Sequence, residues 1–370
     1  MCGIAGIRRF DGAPVSRELL AEMAKRLHHR GPDDSGFWSD GSIGFAHTRL
    51  SIIDLAGSPQ PMAGASGTTT IAFNGEILNY KQLRTALAYP FKTHGDTEVL
   101  LALYEQHGPS GVSKLRGQFA YALHDAKTGE THLFRDRLGI LPLYYYADSA
   151  MFAFASEIKA LLPAIGPAEV DHESLHDYLA HRSVPAPHTL LRGVRKVPQG
   201  HHLVVSAAGD VRTEPYWELP RESAIRSVTP EEAVRLVDEA LTASVRDALV
   251  ADVPVGAYLS GGVDSSLITA LVARERNGAP LHTFSADFGD PRVDEIHWAE
   301  KVAGIVGSQH HNVIVTADDF RDSWAKLSWH RDAPLSEPPF RLPAVATALL
   351  LSAKSRDGGH DLGGRTRRPL

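Results

Sequence analysis

The sequence predicts an α+β domain of layered antiparallel sheets with outer helices, followed by an α/β domain with a doubly wound parallel sheet. Three observations predict it. Short β-type runs crowd the chain up to residue 207 with few helices between them, strands and helices alternate after residue 229, and a glycine-serine turn joins a strand to a helix in that second stretch.

In chain order, the opening MCGIAGI sets two glycines among small and aliphatic residues, which suits a short buried strand whose backbone can approach a substrate closely. Further β-type runs lie at 43–48, 70–74, 119–125, 131–135, 143–147, 152–155 and 202–206, with helical stretches at 80–87 and 97–106. Residues 208–229 read as a linker that closes a domain of residues 1–207. Thr229-Pro230-Glu231-Glu232 is a capping box with proline at the first helical position. Val234, Val237, Leu241, Val245 and Leu249 then recur at helical spacing, so a long amphipathic helix opens the second domain. A strand at 253–259, a helix at 265–276, a strand at 281–288, a helix at 294–306 and a strand at 311–315 follow, and 342–353 reads as a core helix. Ligands of such parallel sheets sit at the carboxyl ends of the strands.

Two features carry chemistry. The lone cysteine of 370 residues, Cys2, becomes the first residue if Met1 is removed. An α-amino group titrates near pH ~8, so part of it is unprotonated at neutral pH and can accept the thiol proton of its own residue. A cysteine at position 2 is otherwise an accident of where translation starts. The second feature is the turn Ser260-Gly261-Gly262-Val263-Asp264-Ser265-Ser266. Its glycines let backbone N–H groups close around phosphate oxygens, its serines donate hydrogen bonds, the helix start favours negative charge and Asp264 can hold a magnesium ion. Taken alone, such a turn is more often plain turn chemistry, and it lacks the lysine of a Walker A loop, but the strand before it and the helix after it shift the reading toward phosphate binding.

Composition narrows the rest. With 43% hydrophobic and 22% charged residues and a formal net charge of −6, the chain reads as a soluble globular protein without a general nucleic-acid surface. One cysteine excludes an internal disulfide framework and fits a reducing cytoplasm. A signal peptide, a lipoprotein anchor and a membrane span are not expected, because no suitable apolar run is present. His28-His29, His201-His202 and His310-His311 are adjacent pairs that do not share a helix face, so the 19 histidines do not suggest a metal site.

From residue 1 to about 350 the chain resembles the glutamine-dependent asparagine synthetases. The first half resembles their class II glutamine amidotransferase domain, of the N-terminal-nucleophile (Ntn) hydrolase type, through MCGIAGI, HRGPD at 29–33, RLSIID at 49–54, FNGEILNY at 73–80, GDTEVLLALY at 95–104 and RDRLGILPLYYY at 135–146. The second resembles their ATP-pyrophosphatase domain through YLSGGVDSS at 258–266. The resemblance implies that Cys2 attacks the glutamine amide, giving a glutamyl thioester and ammonia. Asn74 (side chain) and Gly75 (N–H) then match the oxyanion hole, Arg49 the group that binds the substrate α-carboxylate, and Asp96 the acceptor of its α-ammonium, with Glu76 lining the site. Preorganised neutral donors and a planar guanidinium suit those tasks. Each residue also has a structural alternative: Arg49 as a surface ion-pair residue, Asn74-Gly75 as a hairpin turn, Asp96 as a helix N-cap. His29 and Arg30 are read as structural.

In the second half, the resemblance implies that Leu259, Ser260, Gly261, Gly262, Asp264, Ser265 and Ser266 bind ATP and its pyrophosphate, with Asp264 on Mg2+. The aspartate β-carboxylate would form β-aspartyl-AMP, which ammonia converts to asparagine. Ammonia is mostly protonated in bulk water at neutral pH, which favours an enclosed path. The expected partners are small molecules, with neither nucleic acid nor membrane, and a homodimer stays open. Alternatives are amidation of another carboxylate or a peptide, glutaminase activity alone, and a non-catalytic sensor of glutamine or ATP. Lactam-forming relatives lack the N-terminal cysteine, and phosphoribosyl amidotransferases and glucosamine-phosphate synthases share the first half only.

Residues 353–370 depart from the family, which is expected to continue with a loop containing Asp-Glu and Gly-Gly-Tyr and then a helical domain. Asp357-Gly358-Gly359 reads as a degraded version of that loop or, in the favoured alternative, Arg356 to Asp361 is a helix-to-strand connection and the arginine-rich sequence from Leu362 onward is unrelated, as in a truncated or frame-shifted frame. The synthetase domain, 230–352, is accordingly expected to be partial.

Overall fold

A computed structural model describes residues 1–220, 227–276, 278, 280–289 and 295–334. The expected helix at 342–353 and the tail at 353–370 lie outside the described residues. The chain forms two compact units, Met1–Ser223 and Ala224–Leu370.

The strands of the first unit are β1 (Gly3–Arg9), β2 (Asp34–Asp40), β3 (Ile43–Arg49), β4 (Met62–Ala63), β5 (Thr69–Ile77), β6 (Gly117–Asp125), β7 (Glu130–Arg135), β8 (Tyr144–Ala147), β9 (Met151–Ala155), β10 (Val194–Lys196), β11 (His201–Val205) and β12 (Val211–Pro215). They make two six-stranded sheets, ordered β10-β8-β9-β1-β3-β2 and β12-β11-β7-β6-β5-β4, and the pairings within both are antiparallel. Their facing sides share one core, in which Ile4, Phe45, Phe152 and Phe154 of the first sheet meet Ala72, Ala120, Ala122 and Leu133 of the second. Large side chains on one sheet opposite alanines on the other let the layers interlock at close-packed density. Helix α1 (Arg17–Lys25) covers the outer face of the first sheet through Leu20 and Met23. Helices α2 (Tyr80–Ala86) and α3 (Thr97–His107) follow β5, and α3 packs on it. Two short helices, α4 (Leu162–Ile165) and α5 (His172–His181), precede β10. The result is the layered α+β arrangement expected of an Ntn-type amidotransferase.

The opening glycines have a packing role. A Cβ on Gly6 would lie 2.4 Å from the Phe154 ring, and one on Gly3 2.6 Å from Thr48 Oγ1. Their missing side chains make room for cross-strand neighbours. The stretch read as a linker, 208–229, contains β12, an edge strand paired with β11. It is polar and largely exposed, so its sequence has no apolar alternation to announce it.

In the second unit, α6 (Pro230–Ala248) starts at Thr229, whose side chain accepts from Glu232 N–H at 3.2 Å. Then come β13 (Gly256–Tyr258), α7 (Val263–Glu275), β14 (His282–Asp287), α8 (Ile296–Val306), β15 (Gln309–Ile314) and α9 (Ala317–Arg331). The three strands are parallel in the order β13-β14-β15. Of the predicted apolar stripe on α6, Val245 is buried and Leu241 and Leu249 pack beside it, whereas Val234 and Val237 are exposed among the described residues. The stripe meets α7 in its C-terminal half only.

Candidate active site

Cys2 stands at the mouth of β1, in the middle of the first sheet. Its sulfur accepts from Leu50 N–H at 3.4 Å, and its carbonyl accepts from Arg30 Nε at 2.8 Å. Burial pushes the thiol up from its ordinary pKa, against the opposing pull of the N-terminal amine, the Leu50 hydrogen bond and the charges of Arg30 and Arg49. The resting sulfur is therefore a neutral thiol that needs a base at the moment of attack.

Two of the sequence motifs flank it, through Arg30 and Leu50. The HRGPD and RLSIID strings lock together, since Asp33 N–H donates to the Arg49 carbonyl at 3.0 Å and Ser51 N–H to Asp33 Oδ2 at 2.9 Å. A Cβ on Gly31 would lie 2.3 Å from the Thr48 carbonyl oxygen, so only glycine permits that approach. Arg49 ends β3 and is buried, donating through Nη1 to Leu55 O (3.1 Å) and through Nη2 to Asp54 O (2.7 Å). That burial removes the surface ion-pair alternative. Asp54 holds a left-handed conformation (φ 51°) and accepts from His94 N–H at 2.9 Å, tying the 49–58 loop to the segment that carries Asp96.

Asp96 does occupy the N-cap position of α3, but its side chain does not cap the helix; Oδ2 accepts from Ile77 N–H of β5 at 3.0 Å. Burial raises its carboxyl to about 6, with the Ile77 bond and the Arg49 charge pulling the other way. Arg49 thus acts electrostatically on both Cys2 and Asp96.

Asn74 and Gly75 lie within β5, opposite Ala120 and Phe119, and not in a hairpin turn. Asn74 is completely buried, and neither its side-chain nitrogen nor its oxygen has a hydrogen-bond partner. Gly75 adopts φ +150°, and a Cβ there would lie 2.3 Å from the Gln118 carbonyl oxygen. Glu76 follows, buried. β5 packs against both β1 and β3, so Asn74 and Gly75 belong to the strand that neighbours the one Cys2 precedes.

Three further groups escaped the sequence reading. His47 on β3 is buried and bonds the Phe73 carbonyl through Nε2 at 3.0 Å, and burial, with Arg49 nearby, lowers its pKa to about 4. The neutral ring therefore braces the peptide before Asn74. Leu50 contributes only backbone, which leaves no residue-type signal. Glu157, after β9, collects both His29 and Arg30.

In the second unit, Leu259 follows β13 and is buried, and Ser260 to Gly262 turn into α7. Gly261 has φ +85°, and a Cβ there would lie 2.6 Å from the Glu295 carbonyl oxygen. Ser265 Oγ lies 3.0 Å from Ser260 Oγ and accepts from Ser260 N–H at 3.2 Å. The first intrahelical bond is Ser266 N–H to Gly262 O, so the N–H groups of Val263, Asp264 and Ser265 precede it and point out of the helix start. This is a cradle suited to phosphate oxygens. Asp264 is exposed in that first turn, and among the described residues no group of three or more His, Cys, Asp or Glu side chains forms a metal cage. A carboxylate at such a helix start suits Mg2+, which keeps waters and shares phosphate ligands.

Comparison with known proteins agrees with this division. Residues 1–217 match the glutamine amidotransferase domain family and residues 236–358 the asparagine synthase family. The chain is 37% identical over 348 residues to glutamine-hydrolysing asparagine synthetase 1 of Bacillus subtilis (strain 168), covering 91% of this chain and 54% of that protein. Identity to asparagine synthetase B of Escherichia coli (strain K12) is 33%, over 96% of this chain and 64% of that one. A Methanocaldococcus jannaschii protein that bears the asparagine synthetase name provisionally is 33% identical, over 98% of this chain and 75% of its own. A glutamine amidotransferase domain preceding a nucleotide-type α/β domain defines the class. The chain belongs to the glutamine-hydrolysing asparagine synthetase family, and it spans about half the length of the Bacillus relative. No helix among the described residues is long and apolar enough to cross a membrane.

Proposed function

We propose that this chain hydrolyses glutamine at Cys2 and passes the ammonia to an ATP-activated aspartate, forming asparagine. Asn74 carries the glutaminase reading. A buried amide with both polar atoms unpartnered costs roughly 1–3 kcal/mol per atom, and a ligand that fills those bonds recovers it. The oxyanion of a tetrahedral intermediate would recover the nitrogen's share of that cost, accepting from Asn74 Nδ2–H beside Gly75 N–H. Removal of Met1 would put the free amine on Cys2, where it takes the thiol proton as the sulfur attacks. Arg49 has donors beyond the two bonds described and would receive the α-carboxylate, while ionised Asp96 would receive the α-ammonium and Glu76 would line the site.

In the second unit the cradle from Leu259 to Ser266 would bind the ATP phosphates, with Asp264 on Mg2+. That metal would offset phosphate charge while the serines and N–H groups orient the triphosphate. Glutamate release from glutamine, measured beside ATP-dependent asparagine formation from aspartate, tests both halves. Both products support the full reading; glutamate alone supports the glutaminase and overturns the synthetase; neither overturns the proposal. Replacing aspartate with other carboxylates then reads the acceptor.

A further inference from the structure

We propose that Glu157 is a positioning residue for the Cys2 nucleophile, acting through Arg30. The inference rests on the glutaminase reading above. Glu157 is 5% exposed and is surrounded by donors: Arg30 Nη1 lies 2.8 Å from Oε1, while Lys159 Nζ and His29 Nε2 lie 2.5 Å and 3.0 Å from Oε2. Both carboxylate oxygens are thereby committed, so Glu157 supports the site and is not a ligand for glutamine. Arg30 uses its other edge, Nε, to hold the Cys2 carbonyl at 2.8 Å. One rigid guanidinium therefore ties the carboxylate to the nucleophile's own peptide plane. Ser156 adds an adjacent tie, donating its N–H to Ile4 O at 2.9 Å and accepting Ile4 N–H on its hydroxyl at 3.0 Å.

The geometry matters because a first residue is held by the chain on one side only. Rotation about its Cα–C bond would swing the amine and the thiol together away from the substrate. Arg30 fixes the carbonyl plane from which that rotation is measured, Leu50 N–H fixes the sulfur, and Glu157 fixes Arg30. Burial alone would raise the Glu157 carboxyl, but the His29 hydrogen bond, the Arg30 charge and the Lys159 and Arg30 hydrogen bonds hold it at about 2. The anchor stays ionised throughout the working pH range.

Charge and geometry predict opposite signs for its removal. Glu157→Gln leaves Arg30 less neutralised near the sulfur, which by charge alone favours the thiolate and a faster attack. A slower reaction reports lost positioning. In the full chain, kcat for glutamine hydrolysis per folded molecule is expected to fall about tenfold to a hundredfold, with KM for glutamine within about threefold. Arg30→Lys keeps the cation but cannot bridge both partners, and is expected to give the same loss. The double variant is expected to be no worse than either single one, because both break one linkage. A kcat within twofold of the unsubstituted chain, a change in KM alone, or losses that multiply in the double variant would overturn the proposal. Should Glu157→Gln not fold, Arg30→Lys decides by the same kcat criterion. An unsubstituted chain that does not hydrolyse glutamine overturns the glutaminase reading and this inference together, whereas an active one with unaffected variants overturns this inference alone.

Discussion

At Asn74, stability and activity pull in opposite directions. An apolar residue of similar volume removes two unsatisfied buried atoms and with them the oxyanion donor. Asn74→Leu is expected to melt at the same temperature as the unsubstituted chain or higher, while kcat for glutamine hydrolysis falls about 10²–10³-fold. Unchanged activity would show that the amide serves some other ligand. Asp96 sets a pH dependence whose sign follows from its raised carboxyl. Between the ordinary 3.8 and about 6 the folded chain binds more protons there than the unfolded chain, so stability falls as pH rises through that window. Above about 6 the buried charge costs on the order of 3 kcal/mol. Asp96→Asn is expected to raise the melting temperature at pH 8 and to weaken glutamine binding. In the unsubstituted chain, KM for glutamine is expected to climb as pH drops below about 6, because the proton removes the charge that receives the ammonium.

At the scale of elements, β5 is the critical strand, since Asn74, Gly75 and Glu76 occupy successive positions on it. Gly75→Ala forces a side chain into backbone at φ +150° against Gln118 O. It is expected to cost about 2 kcal/mol or more in urea unfolding and to abolish glutaminase activity, because β5 must leave its register with β6. The sequence showed β5 as a β-type run and FNGEILNY as a site string, because alternation and motif are both local. Elements whose reason for existing is tertiary stayed hidden. β2, with the sequence DSGFWSD, is held by pairing with β3 and has no apolar alternation, and β12 is a polar edge. Helix α1 did leave a local mark, Ser16, whose side chain caps Leu19 N–H at 3.1 Å. Of the site, the residues with reactive or ion-binding side chains were legible. His47 and Glu157 were not, because burial among partners gives them their meaning, and residue type alone does not disclose burial.

At the scale of the molecule, among the described residues the first unit has a core between its antiparallel sheets, and the second has one cluster between α6 and α7 and another of Leu259 with α8. Glutamine hydrolysis and nucleotide binding should therefore be separable by substitution. Gly262→Val, in the phosphate cradle, is expected to abolish ATP binding measured calorimetrically while leaving glutamate release within about twofold. The central claim is that a first-residue cysteine, primed by its own amine, cleaves the glutamine amide. Intact-mass spectrometry of the folded chain after incubation with diazo-oxo-norleucine tests it most directly. The account predicts one adduct, mapped to Cys2, on a chain that has lost Met1. An adduct-free protein, or a labelled chain that retains Met1, would contradict it.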